Sequence, residues 1–217
     1  MSRIMETITK TPFIEKKPSS LRYYQEGPPV EFDTQKWSLK IFLPNEATPI
    51  EIGLDELKKI APITENRREV CVCNWSIRRT WTGILLLDLL NYLKIDSPQY
   101  RSHFLKQISV GTEKGQYDST IPFINAIENR TMLVWAVDSE ELSFEEGYPL
   151  RLINFSLYRY KGVKCLSELY FTKEFKAGFW EKKAGYCKEG QIKAKRYRIV
   201  DLQEHRFIEG HKEVTEF

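Results

Sequence analysis

Along residues 37 to 43, WSLKIFL, the apolar residues Trp37, Leu39 and Ile41 alternate with Ser38 and Lys40. A period of two sends alternate side chains to opposite faces, the signature of a strand with one face buried. The pattern returns in KCLSELYF (164–171), where Cys165, Ser167 and Leu169 alternate with Leu166, Glu168 and Tyr170. PIEIGLDELKKIAP (49–62) reads as a short strand followed by one or two helical turns that stop near Pro62. Further strands are expected in VCVC (70–73), QISVGT (107–112), TMLVWAV (131–137), PLRLINFSLYRY (149–160) and KAKRYRIV (193–200). GILLLDLLNYLKI (83–95) is apolar enough for a buried helix of about three turns beginning at Gly83. STIPFINAIE (119–128) reads as a short helix initiated by proline. Many short strands with few helices predict an α+β, sheet-rich domain.

Composition narrows the function classes. A net charge of +3 on 217 residues is too small to argue for nucleic acid. No run of about 18 apolar residues suggests a membrane span. The start, MSRIMETITKTPFIEKKPSS, has neither the apolar core of a secretory signal nor a twin-arginine pair, so a cytoplasmic location is expected. There the four cysteines (Cys71, Cys73, Cys165, Cys187) would stay as thiols. Residues 1–20 read as a flexible arm, 21–200 as the domain and 201–217 as a tail.

Within VCVCNWS (70–76), a strand would project Cys71 and Cys73 to the same face. Two soft sulfurs side by side suit a soft metal. Small buried core residues fit the same pattern. No second Cys/His pair follows at a spacing that completes a zinc site. The five carboxylates of DSEELSFEEG (138–147) read as a solvated loop, and the basic KEGQIKAKRYR (188–198) as a lysine-protected strand edge.

Five segments, in order, resemble the molybdopterin-binding domain of the sulfite oxidase family, including its bacterial methionine-sulfoxide reductase branch. They are GPPVEFDTQKWSLKIF, VCVCNWSIRRTWTGILLLDLL, YDSTIPFINAI, GYPLRLINFSLYRYKGVK and AGFWEKKAGY. The resemblance implies the sulfite-oxidase-like fold and a molybdenum cofactor whose metal is bound by the Cys71 thiolate with the two dithiolene sulfurs of the pterin. It places Tyr117 on the active-site tyrosine, where it would donate a hydrogen bond to the metal's oxo group or the substrate. Thr112 falls on a pterin-contacting threonine. Arg151, Lys161 and Lys164 fall where the family holds the cofactor's phosphate or a substrate anion.

The chain also departs from the family pattern. Gln25 and Glu26 stand where relatives carry Asn-His, and Glu146 where they carry His or Asn against the pterin. Arg159 replaces a glycine of the phosphate-approach turn, Phe155 a proline, and Cys73 a Gly or Glu. Arg159 could itself supply charge to a phosphate.

The implied function is oxygen-atom transfer on a small substrate, with electrons exchanged with an external partner. The alternative is a cofactor-free cleft, lined by Glu26, Cys73, Glu146 and Arg159, that binds or converts another organic ligand. In that reading Glu146 has a raised pKa and acts in acid/base chemistry.

Overall fold

The computed structural model describes residues 28–217. The first sheet has the order β2-β1-β10-β5-β6 and contains β1 (Ser38–Phe42), β2 (Ile50–Gly53), β5 (Phe104–Ser109), β6 (Asp118–Pro122) and β10 (Leu166–Thr172). Only β1 and β10 run parallel; the other pairs are antiparallel. The alternation in β1 does what its period predicts: Leu39 and Ile41 are sealed from solvent while their neighbours are half-buried.

The second sheet is built around β4 (Trp75–Leu85), its longest strand at 11 residues. The β3 strand (Ile63–Cys71) pairs antiparallel with it over nine register positions, from Ile63 opposite Gly83 to Cys71 opposite Trp75. The other edge of β4 takes β11 (Lys195–Ile199) in parallel and β7 (Met132–Val137) antiparallel. The short strands β8 (Glu140–Glu141) and β9 (Arg151–Ile153) pair with β7, and β12 (Glu204–Ile208) pairs with β11.

Among the described residues, four short helices cap the strands: α1 (Leu54–Leu57), α2 (Leu86–Tyr92), α3 (Phe123–Glu128) and α4 (Phe179–Ala184). The main core joins Leu39, Ile41, Leu105 and Leu169 of the first sheet to Ile84, Leu133 and Leu152 of the second and to Leu86, Leu89 and Leu90 of α2. Each fully buried aliphatic side chain there stabilises the fold by about 1.5–3 kcal/mol. The sheet-rich α+β architecture is the one the strand patterning predicts.

Several local expectations change. Gly83 does not start a helix; it lies inside β4, and α2 spans Leu86–Tyr92. A Cβ at Gly83 would sit 2.2 Å from the Leu133 carbonyl oxygen of the neighbouring strand, so the missing side chain permits close backbone approach. The strand expected at 149–160 shrinks to β9, followed by a 3-10 turn over Arg159–Lys161. Residues 201–217 are more than a tail: they add β12, and Glu213 and Phe217 bond the arginines of β3. The expected arm at 1–20 lies outside the described residues.

Candidate cofactor site

β3 ends at Cys71. The chain turns through Val72, Cys73 and Asn74 and re-enters as β4 at Trp75. Asn74 has a φ of +61°, in the left-handed region that asparagine tolerates, and its N–H donates to the Cys71 carbonyl at 3.2 Å. Cys73 therefore sits in the turn rather than on the strand, so the same-face strand geometry expected for the two cysteines does not occur. The sulfurs meet nonetheless, because the turn folds Cys73 back within hydrogen-bonding reach of Cys71. That bond lowers the Cys73 thiol to about 6, burial opposes the shift, and the nearby Lys195 ammonium assists it. Cys71 is 8% exposed, whereas Cys73 is open to solvent. All four cysteines stand as thiols.

Glu69 precedes Cys71 by two residues on β3, so both side chains project to the same face, roughly 7 Å apart along the strand. The Glu69 carboxylate is 3% exposed and accepts a hydrogen bond from Arg151 at 3.2 Å. Its second oxygen forms an ion pair with Arg159. Arg151 also lies over the Trp81 ring, 5.3 Å from its centroid. Lys164, equally buried, donates to the Glu145 carbonyl oxygen at 2.6 Å. Burial pushes the Lys164 ammonium well below the usual lysine range, and the charges of Arg151 and Arg159 push it further. Two arginines thus share the Glu69 carboxylate, and Lys164 lies near enough to feel the charge of both. Sequence reasoning missed Glu69, since a single acid in a strand carries no signal until its partners are known.

The remaining residues singled out from sequence take other positions. Tyr117 is buried, with its hydroxyl donating to the Tyr160 carbonyl at 2.8 Å and its ring 5.5 Å from that of Phe179. Lys161 is fully buried, and its ammonium pairs with Glu181 at 2.5 Å. Burial lowers the Lys161 pKa, and Glu181 opposes the shift. The Thr112 hydroxyl stays within its own loop, donating to the Gly115 carbonyl at 3.1 Å. Gln25 and Glu26 lie outside the described residues.

Glu146 bonds Arg79 at 2.6 Å and receives the N–H and hydroxyl of Ser143 at 3.1 and 3.0 Å. Burial raises its pKa, but Arg79 and Ser143 together outweigh burial and hold the carboxyl below the usual range. This reverses the raised value expected for Glu146, because the sequence did not disclose Arg79 across the sheet. Phe155 packs near Trp81, with centroids 6.2 Å apart. Among the described residues, no three His, Cys, Asp or Glu side chains gather as a metal site.

This donor set fits a phosphate-bearing, metal-carrying group. Arg151 and Arg159 share the Glu69 carboxylate, Lys164 lies beside them with Glu145 partly offsetting its loss of charge, and a phosphate dianion would favour the charged form of Lys164. Cys71 offers a soft sulfur at the end of the same strand that carries Glu69. With no cluster of further ligands among the described residues, a metal there would take most of its donors from the group that carries it.

Comparison with known proteins agrees. A 73% stretch of the chain is 27% identical to 76% of an uncharacterised oxidoreductase, YuiH, of Bacillus subtilis. The catalytic subunit of protein-methionine-sulfoxide reductase, MsrP, from Campylobacter jejuni is 27% identical over 69% of this chain and 54% of its own length. A putative protein-methionine-sulfoxide reductase subunit, YedZ1, of Azospira oryzae is 27% identical over 59% of this chain and 46% of its own. The chain thus spans about half the length of the last two. The crystal structure of the sulfane dehydrogenase SoxCD from Paracoccus pantotrophus matches 92% of this chain and 57% of its own with a TM-score of 0.58. At 13% identity, that match speaks for the sulfite-oxidase-like fold alone. The family profile described as oxidoreductase molybdopterin binding domain matches residues 26–180, well over half of the sequence, and the chain belongs to that family.

Proposed function

We propose that this domain holds molybdenum in molybdopterin and transfers an oxygen atom to or from a small sulfur- or nitrogen-containing substrate. The observation that carries the reading is β3, which ends in the Cys71 sulfur and, two residues earlier, ties Arg151 and Arg159 together through Glu69. When bound, the cofactor supplies a metal centre that exchanges an oxygen atom and two electrons with substrate.

The protein's own residues act around that chemistry. Cys71 supplies the one protein sulfur to the metal. Arg151, Arg159 and Lys164 hold the phosphate end by charge-assisted hydrogen bonds. Glu69 holds the two guanidiniums aimed. Tyr117 reaches the Tyr160 carbonyl and so braces β6 against the turn that carries Arg159 and Lys161. Glu146, charged and clamped by Arg79, suits a fixed brace better than a proton donor, so the acid/base alternative gains no support from it. An external carrier protein completes the electron balance. The relatives named as methionine-sulfoxide reductase subunits favour a sulfoxide as the oxygen donor.

The test is the molybdenum content of protein purified from a host that makes the cofactor and is supplied with molybdate, beside a Cys71→Ser control. Near-stoichiometric metal, lost in the control, is expected. A folded, metal-free protein from a host that loads another molybdenum enzyme would refute the reading.

A further inference from the structure

The resemblance gives Lys161 to a phosphate or a substrate anion, yet in the fold its ammonium already has a partner. Lys161 is sealed from solvent and pairs at 2.5 Å with Glu181 of α4, whose side chain is 7% exposed. The rings of Tyr160 and Phe175 lie beside the ammonium, with centroids 5.6 and 5.4 Å away. Gly190 has a φ of +67°, and a Cβ there would stand 2.3 Å from the Lys161 Cγ. Its missing side chain lets the backbone close over the lysine stem.

We propose that Glu181 is a positioning residue: acting through Lys161, it fixes the 3-10 turn Arg159–Lys161 and so sets Arg159 beside Arg151 to receive an anion. One residue, Tyr160, separates Lys161 from Arg159. The turn joins two parts of the fold. On one side, Gln107 of β5 donates to the Lys161 carbonyl at 2.9 Å, and Tyr117 donates to the Tyr160 carbonyl at 2.8 Å. The Tyr160 hydroxyl in turn donates to the Cys187 carbonyl, in the chain beyond α4, at 2.5 Å. On the other side, Arg159 pairs with Glu69 of β3.

Those hydrogen bonds hold the backbone of the turn, and Glu181 holds its lysine side chain. Without the Glu181 charge, a buried ammonium stands unpaired, and relieving it requires the turn to move. Such a movement displaces Arg159. The inference deepens the cofactor reading, because it rests on Arg151 and Arg159 taking a phosphate.

The competing role is direct contact, in which Lys161 leaves Glu181 and meets the anion itself. Replacing both partners with apolar side chains separates the two roles. A buried ion pair can be exchanged for well-packed apolar groups with little loss of stability, whereas a charge that touches the ligand cannot.

The experiment measures the unfolding temperature of the full metal-free chain in sodium phosphate and in sodium chloride of equal ionic strength. The readout is the rise specific to phosphate, taken from each variant's own baseline. Glu181→Gln is expected to lose most of that rise, and the double variant Lys161→Met/Glu181→Leu to recover it. If Glu181→Gln does not fold, the double variant against the native chain decides. A folded double variant without the rise would overturn the inference and make Lys161 an anion contact. An undiminished rise in Glu181→Gln would overturn it too, as would a double variant that cannot fold. Each of those results leaves the anion site standing. No rise in the native chain removes the anion site, and the positioning role falls with it.

Discussion

The Glu69 carboxylate accepts a hydrogen bond from Arg151 at 3.2 Å, with both side chains almost sealed from water, and Arg159 closes on its other oxygen. Losing one partner of such a buried pair leaves uncompensated charge, which costs about 3–5 kcal/mol. Glu69→Gln keeps the shape and removes the charge. We expect it to lower the urea midpoint and to make the domain more responsive to inorganic phosphate, which would replace the lost anion. Equal phosphate stabilisation of Glu69→Gln and the native chain would show that these arginines do not form an anion cradle.

Glu146 and Arg79 make a second cross-element pair, linking β4 to the turn after β8. The Glu146 carboxyl is held below its unfolded value, so its contribution is fully present above the ordinary glutamate pKa of about 4.3. It is lost as pH falls through the lower, folded pKa. Glu146→Gln is expected to cost about 1.5–3 kcal/mol at neutral pH and much less at the acid end. Thermal unfolding followed from pH 7 down to pH 3 checks this. A variant whose deficit stayed constant over that window would exclude the charged pair as the source.

Tyr117 donates its buried hydroxyl to the Tyr160 carbonyl. Tyr117→Phe strands that carbonyl, at a cost of about 1–3 kcal/mol. A brace predicts a lower unfolding temperature, with kcat largely kept when activity is assayed well below that temperature. A tyrosine that donates to substrate predicts unchanged stability and a fall in kcat, and that result would return Tyr117 to a direct role.

Much of the strand framework was legible without coordinates. Alternation in WSLKIFL and KCLSELYF is a local property, and β1 and β10 appear where it lies because a half-buried strand needs only its own sequence to declare its two faces. Pro122 marked the start of α3, but not the strand β6 that leads into it. Gly83 misled, since a glycine ahead of a leucine-rich run reads as a helix start. Its reason lies on another strand, at the Leu133 carbonyl.

The cofactor site divides along the same line. Sequence alone, through motif order, determined the family and offered Cys71, Arg151 and Lys164 as candidate residues. Tertiary structure decided that Glu69 ties two of the cations together, that Arg79 clamps Glu146, and that a turn rather than a strand brings Cys73 to Cys71. Each is a contact between groups whose positions depend on chain reversal or sheet pairing. Sequence periodicity records the face a residue occupies, and only the folded chain determines which residue stands opposite.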